Sequence, residues 1–117
     1  GGRYVGGEGP RARLLARAVS RMHEADLYHG ALGLDSFAPG GPGEDLLVRG
    51  LGRGIRMDWL PPALGLWLKS RDVGLMVEEI TRRWGPEHAE DFLQNYCRMS
   101  DLSAATGRIL RWLAGSV

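Results

Sequence analysis

Two imidazoles and two carboxylates fall close together near the middle of the first half of the chain: His23, Asp26, His29 and Asp35. Side chains of these types support two kinds of chemistry. An imidazole exchanges a proton near neutral pH, and imidazoles grouped with carboxylates or thiolates ligate transition metals. The metal set would be His23 and His29 with Asp26, three positions after His23, or with Asp35. No further histidine or cysteine accompanies them, so the set falls short of a metal-site pattern. The single cysteine, Cys97, lies in a helical pattern beside Phe92, Leu93 and Tyr96, which favours a structural thiol over a nucleophile. One cysteine also rules out an internal disulfide framework and fits a reducing compartment.

The elements that must position these groups follow from periodicity. Residues 1–9 are glycine-rich and read as a flexible entry, and residues 10–117 as one domain. Leu14, Leu15, Ala18, Val19 and Met22 recur at helical spacing, so a helix is expected over 10–26 with Pro10 in its first turn. Arg13, Arg17 and Arg21 make a basic stripe on it, a pattern usual for a solvated face. A loop with short strands follows: a turn over Ala38–Gly43, an apolar strand at Leu46-Leu47-Val48, and a Gly-x-Gly-x-Gly run from Gly50 to Gly54. From Met57 to Leu68 the chain is apolar, with Trp59, Leu60, Leu64 and Trp67; Pro61 and Pro62 argue against a continuous helix there, and packing over a core is favoured. Three helices close the chain. The first is capped by Ser70 and runs to Trp84 with Val73, Met76, Val77 and Ile80 on one face. Gly85 ends it and Pro86 opens the second. Asp101 caps the last, which turns Leu102, Ala105, Ile109, Leu110, Trp112 and Leu113 inward.

The stretch Leu27-Tyr28-His29-Gly30-Ala31-Leu32-Gly33-Leu34-Asp35-Ser36-Phe37 resembles the catalytic loop of a kinase-type phosphotransferase, whose pattern is His-x-Asp-Leu-x-x-x-x-Asn. His29 and Leu32 keep the pattern. Ala31 stands at the catalytic-base position and has no titratable group; Ser36 stands at the magnesium-ligand position and is a weak neutral ligand for a hard cation. The order of elements resembles the C-terminal lobe of the protein-kinase-like fold, and the match is to the lipopolysaccharide-core kinases of the Kdo/WaaP type. Val48-Arg49-Gly50-Leu51-Gly52-Arg53 resembles that family's Asp-Leu-x-Arg segment with Gly50 at the metal-binding Asp position. Trp67 to Leu75 resembles its Lys-Asp-Leu-Ala helix start. The resemblance implies a mainly α fold, a kinase-like C-lobe with short β-hairpin strands around the catalytic-loop region and no N-lobe. It implies structural roles for His23 and His29, and makes Asp72 the buried carboxylate that braces the loop backbone. Asp35 is the only substitute for the lost base, and a poor one, four positions beyond Ala31.

With 44% hydrophobic and 25% charged residues the composition is that of a soluble globular domain, and a net charge of +1 gives no general pull toward nucleic acid. No run approaches the roughly 20 apolar residues of a membrane span, and no signal-peptide pattern is present. The expectation is a cytoplasmic kinase-like domain without phosphotransfer, acting by protein contact in cell-envelope biogenesis, with peripheral membrane contact left open. No cofactor is expected. The alternatives are a phosphotransferase on a lipopolysaccharide-core sugar whose N-lobe is supplied elsewhere, binding ATP and magnesium, and an unrelated small helical interaction domain. The surface facing a kinase N-lobe, with Leu32, Leu34, Phe37 and Leu51 joined by Trp59 and Trp67, is expected to be exposed and covered by a partner or a second copy.

Overall fold

The computed structural model describes residues 8–39, 46–48 and 55–115. Residues 1–7 of the entry read over 1–9, the turn at Gly40–Gly43, and Gly50, Leu51 and the glycine run to Gly54 lie outside the described residues, while Glu8 and Gly9 already belong to the first helix and not to a flexible entry. The described chain is mainly helical. It contains α1 (Glu8–Glu24), β1 (Leu27–Tyr28), a 3-10 turn (Leu34–Ser36), β2 (Phe37–Pro39), β3 (Leu46–Val48), β4 (Ile55–Arg56), α2 (Pro62–Trp84), α3 (Pro86–Met99) and α4 (Ala104–Gly115).

The strands form two antiparallel ladders. β1 pairs with β4, with Leu27 opposite Arg56 and Tyr28 opposite Ile55. β2 pairs with β3 from Phe37 opposite Val48 to Pro39 opposite Leu46. Ala38 and Pro39 therefore belong to a strand and not to the turn anticipated for them. Pro39 is the last residue of β2, where a missing N–H costs little. The β1–β4 pairing is extended by the Met57 N–H, which donates to the Asp26 carbonyl at 2.6 Å.

The helices surround one core. Leu15, Val19 and Met22 of α1 meet Val73, Met76 and Ile80 of α2, Phe92 and Tyr96 of α3, and Leu110 of α4. α1 packs chiefly on α3, while α2 lies against both α3 and α4. The spacing of these apolar positions near 3.6 residues fixes which helix face turns inward.

Two sequence expectations about helix ends are overturned. α2 starts at Pro62, not at Ser70. Pro61 stands at the N-cap and Pro62 at the first helical position, where no intrahelical N–H is needed, so the two prolines start the helix and do not interrupt it. Ser70 is a buried interior residue whose Oγ donates to the Leu66 carbonyl at 2.8 Å. The longer helix carries Leu64 and Trp67 out to solvent. Trp59 in the preceding turn is 73% exposed, so the Met57–Leu68 segment does not pack over the core as expected, apart from buried Met57 and the partly buried Leu66.

The second correction is at α4. The Ser103 Oγ accepts the Thr106 N–H at 3.1 Å, the geometry of an N-cap, whereas Asp101 sits in the turn at φ 55°. On α4 Leu110 is buried as expected, with Ala114, whereas Ala105, Ile109 and Trp112 are exposed, against the expected inward face. Ser103→Ala should lower stability by about 1 kcal/mol in chemical denaturation. Asp101→Gly, which relaxes a left-handed backbone, should not lower it. The opposite ranking would restore Asp101 as the cap.

Candidate functional site

α2 crosses beneath the His29–Ser36 loop and presents a carboxylate to it. Asp72 is fully buried. Its Oδ2 accepts the His29 N–H at 2.9 Å and its Oδ1 accepts the Gly30 N–H at 2.9 Å. The loop backbone is thus clamped by both oxygens of one side chain. Gly30 suits the clamp because its φ is +90°, a conformation that L side chains rarely adopt, and a Cβ there would sit 3.3 Å from the Tyr28 ring. One residue later the Ala31 N–H donates to the His29 Nδ1 at 3.1 Å, so the imidazole folds back on its own loop. With Nδ1 accepting, the donor nitrogen of the His29 ring is Nε2.

Asp72 Oδ2 also accepts from His23. The His23 Nε2 lies 2.9 Å from it, and the His23 Nδ1 lies 2.6 Å from the Tyr96 hydroxyl. The tautomer follows from the donor inventory. A carboxylate offers only lone pairs, so Nε2 carries the hydrogen and Nδ1 accepts from Tyr96. The chain Tyr96–His23–Asp72–loop joins α3, α1, α2 and the loop backbone. All three side chains are 2% exposed or less. Burial is the leading influence on His23 and holds its pKa below the ordinary 6.5, outweighing the opposing pull of Asp72. Burial thus favours the neutral imidazole at His23, whose Nε2 donates to Asp72. Burial likewise pushes the Tyr96 hydroxyl well above its ordinary range. Next to this chain the Ser20 and Ser100 hydroxyls meet at 2.8 Å. Among the described residues no buried side-chain nitrogen or oxygen lacks a partner.

A second brace holds the far end of the loop. Glu79 Oε1 accepts the Leu34 N–H at 2.6 Å, and Glu79 Oε2 lies 3.7 Å from Arg83 Nε. Glu79 follows Asp72 by two helical turns, so both carboxylates rise from one face of α2. Gly33 makes room for it: a Cβ there would lie 2.8 Å from Glu79 Oε1. Glu79, Gly33 and the hydroxyl role of Tyr96 were not anticipated. The seven-residue interval between Asp72 and Glu79 is the signal that could have found the second brace. A buried tyrosine hydroxyl calls for a partner, but nothing in the sequence singles out His23, 73 positions from Tyr96.

The remaining anticipated residues are placed as follows. Ala31 is exposed and offers only a methyl group. Ser36 is half-buried, and its Oγ accepts the Gly33 N–H at 3.1 Å, closing the 3-10 turn on itself. Asp35 is exposed in that turn. Gly50 is outside the described residues. Leu32 is buried, and Leu34 and Phe37 are partly buried against the core, because the loop folds down onto α2. The exposed apolar surface expected at Leu32, Leu34 and Phe37 is therefore not there. The large exposed apolar side chains lie instead at Ile55, Trp59, Leu64 and Trp67, and on α4 at Ile109 and Trp112. Trp67 carries the Arg71 guanidinium 5.4 Å above its ring, and Arg71 Nε donates to the Tyr28 hydroxyl at 3.3 Å. Among the described residues no three His, Cys, Asp or Glu side chains converge as a metal site requires. Both ring nitrogens of His23 are already engaged. Cys97 is half-buried, and burial raises its thiol pKa, which disfavours the thiolate. No helix among the described residues is long and apolar enough to cross a membrane. No protein-family model matches the chain, and no curated protein or solved structure is detectably similar to it.

The buried neutral His23 makes stability depend on pH in a defined direction. Its unfolded pKa is near 6.5 and its folded pKa lies lower. Between the two values the unfolded chain holds the extra proton, so stability is complete above that window and falls as the pH drops through it. In urea titrations the wild-type chain should lose stability below pH 6.5 more steeply than His23→Gln, by up to about 1.4 kcal/mol per pH unit. Parallel curves for the two proteins would contradict a neutral buried His23.

Proposed function

We propose that the chain is a kinase-like domain of the C-lobe type that does not transfer phosphate and works by protein contact. The observation that carries this is the Asp72 clamp on the His29 and Gly30 amides, immediately before Ala31. The clamp is the contact that the resemblance to the lipopolysaccharide-core kinases implies. It supports a loop held for catalysis by its fold while the base position holds a methyl group. The two short antiparallel ladders around the loop agree with the same reading.

The chemistry of the loop opposes phosphotransfer. A catalytic base must reach the acceptor hydroxyl within hydrogen-bond distance. Ala31 has no such group, and Asp35 lies on the exposed 3-10 turn. The magnesium position is Ser36, whose hydroxyl is engaged by the Gly33 amide. These residues do not fit a nucleotide–magnesium pair, and no step through one is derived. Contact is the function that remains for a rigidly held loop. The exposed Trp59, in the turn before α2, and Trp67, within it, give such a surface aromatic anchors of the type that dominates protein interfaces, and the exposed Leu64 adds apolar area. The cell-envelope setting rests on the resemblance alone.

The chain should show no saturable binding of ATP–magnesium in calorimetric titration, and Ala31→Asp should not introduce phosphate transfer from ATP. A micromolar, magnesium-dependent dissociation constant for the wild-type chain would overturn the proposal.

A further inference from the structure

On the side of His23 and Tyr96 facing away from the loop, a cavity of about 540 Å3 opens between the end of α1, the Met57–Pro61 turn, the start of α2, the end of α3 and α4. Its volume is in the range of small-molecule sites, about 300–1,000 Å3. The walls are largely apolar, with Met57, Leu60, Leu66, Leu102 and Leu110. The floor is polar: the Ser20 and Ser100 hydroxyls, Tyr96 and His23. Such a division suits an amphipathic guest with one polar end.

The charge of that end follows from Lys69. It is the only lysine of the chain, it is half-buried, and it lines the cavity on the same face of α2 as Leu66 and Pro62. It stands close enough to His23 for its charge to disfavour an imidazolium there. No carboxylate among the described residues forms an ion pair with it. The acidic residues of the lining sit differently. Asp58 is held by Arg56 at 3.1 Å, Glu24 is exposed to solvent, and Asp26 occupies the turn that ends α1. Lys69 is thus the one Lys or Arg of the lining, without an ion-pair partner among the described residues, and it shares the lining with Asp26, half-buried as it is.

We infer that this cavity binds a small organic carboxylate with an apolar body, its carboxylate on Lys69 and its carbon chain along Met57, Leu60 and Leu66. The site does not depend on the kinase-like reading of the loop, since it uses neither Ala31 nor Ser36. It does share His23 and Tyr96 with the hydrogen-bond chain that reaches the loop amides through Asp72.

Gly65 supplies a selective block. It lines the cavity from within α2, and a Cβ built on it meets nothing within 4 Å. Gly65→Leu thus starts from an open Cβ position on the cavity wall and raises helix propensity. The test is a calorimetric and amide-NMR titration of the 117-residue chain with octanoate and, separately, with octanol and octylamine. The expected result is saturable one-site binding of octanoate, with shifts at Lys69 and Tyr96. Lys69→Gln should weaken it at least tenfold, as should replacing octanoate by octanol, and Gly65→Leu should abolish it. Circular dichroism verifies that the variants keep their helices, and if Gly65→Leu does not, Lys69→Gln decides alone. Failure of octanoate to saturate in the millimolar range, equal binding by Lys69→Gln, or preference for octylamine would each overturn the inference.

Discussion

One buried carboxylate ties this fold together. Asp72 receives three N–H donors, from His29, Gly30 and His23, and lies in the helix that contacts every other helix of the described chain. Each donor left unpaired in a buried site costs about 1–3 kcal/mol, against a total stability of about 5–15 kcal/mol for a domain. Losing the carboxylate would therefore threaten a large fraction of the folding free energy. The same group fixes the loop conformation and the tautomer of His23, so fold and loop are not separable here.

The network is built for rigidity more than for proton traffic. His23 has the residue type of a general base, but burial holds it neutral, and Tyr96 and Asp72 occupy both of its nitrogens. His29 spends its Nδ1 on the Ala31 amide. Ser36 spends its hydroxyl on the Gly33 amide. Groups able to do chemistry in the sequence are thus consumed by the backbone of one short loop. Glu79 completes the pattern from two turns along α2 by taking the Leu34 amide. A loop pinned at both ends by carboxylates of a single helix has little freedom to rearrange.

Much of this was legible from residue types. The α1 and α3 faces followed from apolar spacing, because amphipathic helices declare their buried side directly. The stop at Gly85 and restart at Pro86 followed from local backbone chemistry. The apolar face Val73–Met76–Ile80 of α2 was read correctly, but its beginning was not. Proline is ambiguous between breaking a helix and opening one, and only the three-dimensional position of Pro61 and Pro62 resolves it. Asp101 and Ser103 are both good caps, and the choice depended on a left-handed turn that composition does not reveal. In the loop, the Asp72 brace followed from the resemblance to a known motif, while Glu79 and Tyr96 were missed. Their roles arise from long-range packing between helices, which periodicity within one helix does not encode. Trp59 and Trp67 were open to two readings, as cover for the core and as part of an exposed face, and only the helix axis decides for exposure.

The central claim, that Asp72 holds the loop through the His29 and Gly30 amides, is tested most directly by residue-resolved amide hydrogen exchange on the wild-type chain and Asp72→Asn. Both amides should be protected in the wild type. In the variant they should lose that protection by tenfold or more, while core amides of α1 and α3, such as those of Val19 and Phe92, keep most of theirs. Unchanged exchange at His29 and Gly30 in the variant would show that the loop is held by something other than this carboxylate.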